Sequence, residues 1–351
     1  MRFCSYLVTL LIVVSIGCNN RASSAKDSRS RLSDSQPANR IYAVSYPLQF
    51  LTQQIVGEEI EVLLPYGQAD DRCNSRPTRE VIEAMQNSDL VIANGVGASY
   101  AKWLALVSLP DSKIVNTASK SLSLKDYIQV KGESIVHSHG PEGEHSHPVM
   151  AARAWLDPSL AKKQPNYIAK RLKVTYPEMA DRFQQNLDGL QAKLDELVET
   201  KSSVVELAKA KSPVVFTAGS KFEFLTRAAG LSADPLKAFS RSSDLTDDQL
   251  LAAVKDQLDQ LRGDQLRAQR DRAGQTQGEG ESAAAAEKQN PALVFIDQQL
   301  RLSDELSAAF LSNQVQPVRV DLLDIAPAQG DYISAMRTNM TRIQDALKRD
   351  N

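Results

Sequence analysis

All four histidines of this 351-residue chain lie in one run, HSHGPEGEHSH, at His137, His139, His145 and His147. A neutral imidazole is the commonest protein ligand for a borderline ion such as zinc. Two His-x-His pairs joined by a Gly/Pro/Glu spacer can close around one ion, so a chain that places every histidine there is expected to handle such a metal. The spacer predicts a loose, exchangeable site rather than a structural one. The competing reading is a solvated low-complexity loop that meets metal incidentally, because a histidine tract is a compositional signature and not a fixed geometry. Asp71, Cys73, Asp297 and Asp321, all at expected loops or strand ends, are residue types that could ligate an ion if they met in one crevice. Oxygen-rich ligation there would favour Mn²⁺, and a thiolate at Cys73 would favour Zn²⁺.

Catalysis is not expected. A catalytic zinc needs rigid ligands and a general base, and the chain has no HExxH helix. It also lacks a nucleophile elbow, a GxxxxGK[ST] loop and a GxGxxG after a strand. The pairs Asp70-Asp71 and Asp247-Asp248 read as helix-start or solvated carboxylates rather than acid/base dyads.

The elements that must position these groups alternate along the chain. Apolar β-type runs at 41–45 (IYAVS), 60–64 (IEVLL), 89–95 (DLVIANG) and 113–116 (KIVN) are separated by helical stretches at 47–56, 78–87 and 100–107. Such nearly continuous apolar strands predict a parallel sheet covered on both faces. Gly67 and Gly95 then fall where the carboxyl ends of the strands form a binding crevice. From Pro177 to about Lys209, Phe183, Leu187, Leu190, Leu194 and Leu197 recur at three- and four-residue steps. That predicts a helix of about 45 Å, long enough to run the length of a bilobed protein; the competing reading is a coiled-coil seam. A second block follows, with strands at 213–217, 292–297 and 317–321 and helices at 222–229, 246–261, 303–311 and 331–348. Residues 263–290, polar and Gly/Gln-rich, are expected to be a disordered or frayed-helical surface insertion without chemistry.

The start of the chain predicts export. Arg2, an apolar stretch over 6–16 and then Gly17-Cys18 match a signal segment too short to span a bilayer. Either Cys18 is acylated, as in a bacterial lipoprotein, or the segment is an ordinary cleaved signal. The polar run after it, 19–40, reads as a flexible tether. Of three cysteines, Cys4 and Cys18 belong to this leader, which leaves Cys73 without a disulfide partner. A net charge of −2 and pI near 6.2 provide no basic field, so nucleic acid is not an expected partner. No later run is apolar for long enough to cross a membrane, so membrane attachment is expected only through the lipid.

The plan is therefore α/β, with two Rossmann-like lobes of parallel sheets joined by a long interlobe helix. Its parts are a leader at 1–18, the tether at 19–40 and a first lobe at 41–156 carrying the His-rich loop 137–147. A linking helix at 157–211 and a second lobe at 212–351 complete it. Several segments in this order resemble the solute-binding proteins of bacterial zinc and manganese ABC importers, the cluster A-I type. They are SYPLQFLTQQIVG (45–57), DLVIANGVGASYAKWL (89–104), AWLDP (154–158), VVFT…FEFLTRAAGL (214–231) and GDYISAMRTNMTRIQDAL (330–347).

The resemblance implies an exported, monomeric receptor that delivers Zn²⁺ or Mn²⁺ to an ABC permease and its ATPase, from the periplasm or the cell surface. It also implies an interlobe cleft of three histidines and a carboxylate, and here the chain departs from the family. Arg72 or its neighbours, Arg153 and Gly219 stand at the histidine positions, while Asp321 stands near the acidic one. In one outcome the cleft uses Asp321, with Asp71 facing it and Cys73 and Asp297 as further ligands. Alternatively the His-rich loop folds over it. Or the metal is lost, with Arg72 and Arg153 binding an anion or pairing with Asp71 and Asp157. A degenerate family member acting as scavenger, chaperone or adhesin is the corresponding alternative function.

Overall fold

The computed structural model describes residues 39–66, 77–96, 104, 107–138, 144–219, 221–240, 245–275 and 291–349. The first lobe opens with β1 (Arg40–Ala43), α1 (Tyr46–Val56), β2 (Glu61–Leu63), α2 (Arg79–Gln86), β3 (Leu90–Ala93), β4 (Ile114–Asn116) and α3 (Thr117–Ser121). Its strands are parallel in the order β2-β1-β3-β4. β3 is buried at every residue, as a strand covered on both faces must be.

Residues 137–147 were expected to be a loop, but the described part is a β-hairpin. β5 (Gln129–Ser138) pairs antiparallel with β6 (Glu144–Met150). The Ile-Val-His-Ser and His-Ser-His-Pro-Val runs show no apolar/polar alternation, so the strand period of two left no mark in the sequence.

The linking region is broken into pieces rather than one helix: α4 (Pro158–Ala161), α5 (Gln164–Thr175) and α6 (Ala180–Lys211). Pro177, lacking an N–H, opens a single 3₁₀ turn before α6. α6 buries Phe183, Leu187, Leu190, Leu194, Leu197, Val204 and Ala208 along one side. α1 of the first lobe packs on it, as do α4 and α5 of the linking region.

The second lobe comprises β7 (Val214–Thr217), α7 (Glu223–Ala228), β8 (Ala233–Pro235), α8 (Lys237–Ser240), α9 (Asp247–Gln275), β9 (Ala292–Asp297), α10 (Asp304–Ser312), β10 (Val315–Val320) and α11 (Tyr332–Lys348). Its parallel sheet runs β10-β9-β7-β8. Numbered within each lobe, both sheets have the order second-first-third-fourth. The switch point, where open α/β sheets bind ligands, lies between β1 and β3 in one lobe and between β7 and β9 in the other.

α9 runs on through 263–275, the helical one of the two states expected for the insertion, and 276–290 lie outside the described residues. Thr246 and Gln249 cap it reciprocally, and a proline-free run rich in Gln, Leu, Arg and Ala favours its propagation.

Candidate functional site

The segment Arg153 to Pro158 crosses from the first lobe towards α6. Asp157 caps α4 by accepting from the Ser159 N–H at 2.9 Å, ahead of Pro158 at the first helical position. The same carboxylate accepts from Lys201 of α6 at 2.7 Å. Asp157 thus pairs with Lys201, and Arg153 pairs elsewhere. The Arg153 Nε and Nη2 donate to the two oxygens of Asp324 at 2.8 and 2.7 Å, with side chains only 13% and 6% exposed. This is a buried, two-pronged ion pair between the lobes, strong in geometry and costly to break from one side.

Its surroundings are equally bridged. Trp155, fully buried, donates from Nε1 to the Leu322 carbonyl at 3.0 Å, and its own carbonyl accepts from the Tyr332 hydroxyl at 2.6 Å. The Tyr332 and Phe50 rings lie 5.6 Å apart. On the first-lobe side, Asn94 at the end of β3 donates to the Ala152 carbonyl at 2.6 Å, fixing the chain next to Arg153. Gly95 follows with φ +75, where a Cβ would meet Asn116 and Ser119 at 2.7 Å, which explains the Asn-Gly pair.

Asp321, the carboxylate expected to face the first lobe, is held within its own lobe. Oδ1 accepts from the Leu323 N–H at 2.8 Å and Oδ2 from Gln298 Nε2 at 2.6 Å. Asn339 of α11 fixes its backbone through both N–H and C=O. Burial pushes the Asp321 carboxyl upward; Asp297 and Asp324 add to this, against the Leu323 N–H and Arg342. Asp297 ends β9 and accepts from the Gln299 N–H at 3.0 Å. Asp324, missed by the sequence reading, is the carboxylate that reaches Arg153. Its only sequence signal was a second acid three residues after Asp321.

Asp71, Arg72, Cys73, His139 and Cys18 lie outside the described residues. Among the described residues, no three His, Cys, Asp or Glu side chains gather to hold an ion. On the hairpin, the backbone register sets His137 opposite His145 and Ile135 opposite His147. Directly opposed and alternate residues share a face, so positions 137, 145 and 147 belong to one face of the ribbon. At the hairpin's base, Ile128 and Gln129 border a cavity of about 190 Å³ shared with Thr217, Gly219, Phe222 and Arg227. Gly219 has φ +97, a conformation that a histidine there would adopt only under strain.

Comparison with known proteins places the chain in a family. The family model described as "ZnuA: Zinc-uptake complex component A periplasmic" matches residues 41–266. The "Zinc-binding lipoprotein AdcA" of Streptococcus pneumoniae (strain ATCC BAA-255 / R6) is 25% identical over 216 residues, 59% of this chain. That match spans only 42% of AdcA, less than half its length. The "Iron ABC transporter substrate-binding lipoprotein MtsA" of Streptococcus pyogenes serotype M1 is 24% identical over 62% of this chain and 67% of its own. Among solved structures, the metal-dependent lipoprotein YcdH of Bacillus subtilis superposes with a TM-score of 0.61. It is 17% identical and covers 88% of this chain and 98% of its own.

Proposed function

We infer the function from one premise: this chain belongs to the ZnuA family of periplasmic zinc-uptake components, whose members are metal-binding substrate receptors of ABC importers and not enzymes. We propose that it is an exported lipoprotein, anchored through Cys18, that captures Zn²⁺ and presents it to a permease and its ATPase. The capturing groups in this reading are the hairpin histidines, His137, His145 and His147, together with His139 of the same sequence run.

The observation that carries the reading is the register of β5 and β6. Opposed residues of an antiparallel pair have Cβ atoms about 4.5–5.5 Å apart, a separation from which two imidazoles reach one zinc at about 2.0–2.1 Å each. An imidazole set favours zinc over harder ions, in keeping with the zinc named for AdcA. A second reading, a metal scavenger that has given up cleft binding, is favoured by the Arg153–Asp324 pair.

Zinc titration of the full chain tests the first reading. Replacing His137, His145 and His147 by Ala should remove at least one zinc equivalent, and acidification should release the same equivalent as protons compete for the ring nitrogens. An unchanged stoichiometry would sink it.

A further inference from the structure

Asp297 ends β9, and Asp321 and Asp324 follow β10; Asp297 and Asp324 both oppose ionisation of Asp321. Arg342 lowers the Asp321 carboxyl through its charge, and Arg153 pairs directly with Asp324. Arg342 of α11 donates to Gln298 Oε1 at 3.2 Å and to the Arg319 carbonyl at 3.1 Å, in an exposed position. Arg153 comes from the other lobe, is buried, and occupies both oxygens of Asp324. Its backbone has little freedom to withdraw, because Asn94 holds the Ala152 carbonyl and Trp155 is tied to Leu322 and Tyr332.

A fixed guanidinium there acts in two ways. It satisfies the carboxylate that reaches across the crevice, and its own charge repels any further cation from that place. Desolvation makes both effects stronger than at a surface.

We propose that Arg153 is the resident cation of the interlobe crevice, holding Asp324 where a divalent ion would otherwise bind and so excluding metal from the Asp321–Asp324 carboxylates. The specificity of the crevice is then set by one side chain. Losing its charge while keeping the fold turns the crevice into a divalent-cation site. This goes beyond the hairpin reading and stands without it.

The test uses the full chain with all four histidines replaced by Ala, so that the hairpin cannot respond. Thermal melts are recorded with and without Mn²⁺ or Zn²⁺. With Arg153 intact, neither metal should move the Tm. Arg153→Met should melt lower without metal, then gain roughly 5 °C at about a hundredfold excess over Kd. Adding Asp324→Asn should abolish that gain, and Arg153→Lys, which keeps the charge, should stay unresponsive. If Arg153→Met does not fold, Arg153→Gln keeps a donor for Asp324 and answers the same question. A folded, uncharged variant that no metal stabilises would overturn the proposal. So would an Asp324-dependent metal response with Arg153 in place. Failure of the hairpin reading shows separately, in the zinc stoichiometry of the histidine-bearing protein.

Discussion

Burial foremost, with Asp157 and Tyr46 nearby, holds the Tyr332 phenol far above its ordinary range, so it stays a donor to the Trp155 carbonyl at any pH the fold survives. Tyr332→Phe removes that donor from a buried carbonyl. The expected loss is about 1–3 kcal/mol, read from urea unfolding as a lower midpoint at unchanged slope. Asp126 offers a pH-dependent counterpart. Burial would raise its carboxyl, but Lys163 and the N–H and hydroxyl of Ser123 outweigh it and hold it at about 2. Because the folded value lies below the unfolded one, the stabilisation is complete above about pH 4 and is lost as pH falls towards 2. Allowing for solvent screening, it amounts to about 1 kcal/mol. Asp126→Asn should therefore flatten the acid limb of stability in that window, and an unchanged limb would assign the acid loss to other carboxylates. At this scale the sequence is only partly legible. Asp321 stands out at a strand end, but the partner that selects Asp324 lies 171 residues earlier, at Arg153. No local pattern announces such a pair.

Helix α6 was legible because its apolar residues repeat at helical spacing over many turns and a proline marks the start. Leu194, fully buried in that series, should cost about 2–5 kcal/mol when cut to Ala; a loss below 1 kcal/mol would mean the helix packs far more loosely than described. The hairpin was illegible for the opposite reason. Its strands carry little apolar contrast between faces, and Gly-Pro in the spacer reads as punctuation for a loop. The register gives a sharp test that changes no histidine. Ser146, opposite Val136 in the ladder, has no other role in the proposed capture. Ser146→Pro removes a strand N–H and is poorly tolerated within a ladder. Zinc uptake should fall while the melting of the lobes stays the same. Undiminished uptake would show that the histidines act as unstructured sequence.

For the molecule as a whole, alternating apolar strands and helices suffice to read two parallel α/β lobes. They miss the short edge strand β8, which ends in Pro235 and has three residues to signal itself. The apolar interior, however, is not divided as the lobes are. One core runs from β1 through α6 into α7 and α11, joining residues as distant as Ile41 and Leu347. A separate core, with Phe216, Phe239, Val254, Leu258 and Phe310, lies under α8, α9 and α10 on the other side of the second sheet. Cooperative units follow shared burial rather than lobe boundaries. Amides of α9 and α10 should thus exchange with deuterium through a partial opening that leaves α6 and α11 protected. Those two helices should give up their protons only when both lobes unfold together. Equal protection across α6, α9, α10 and α11 would mean the two cores open as one, and the second lobe would have no independent breathing motion.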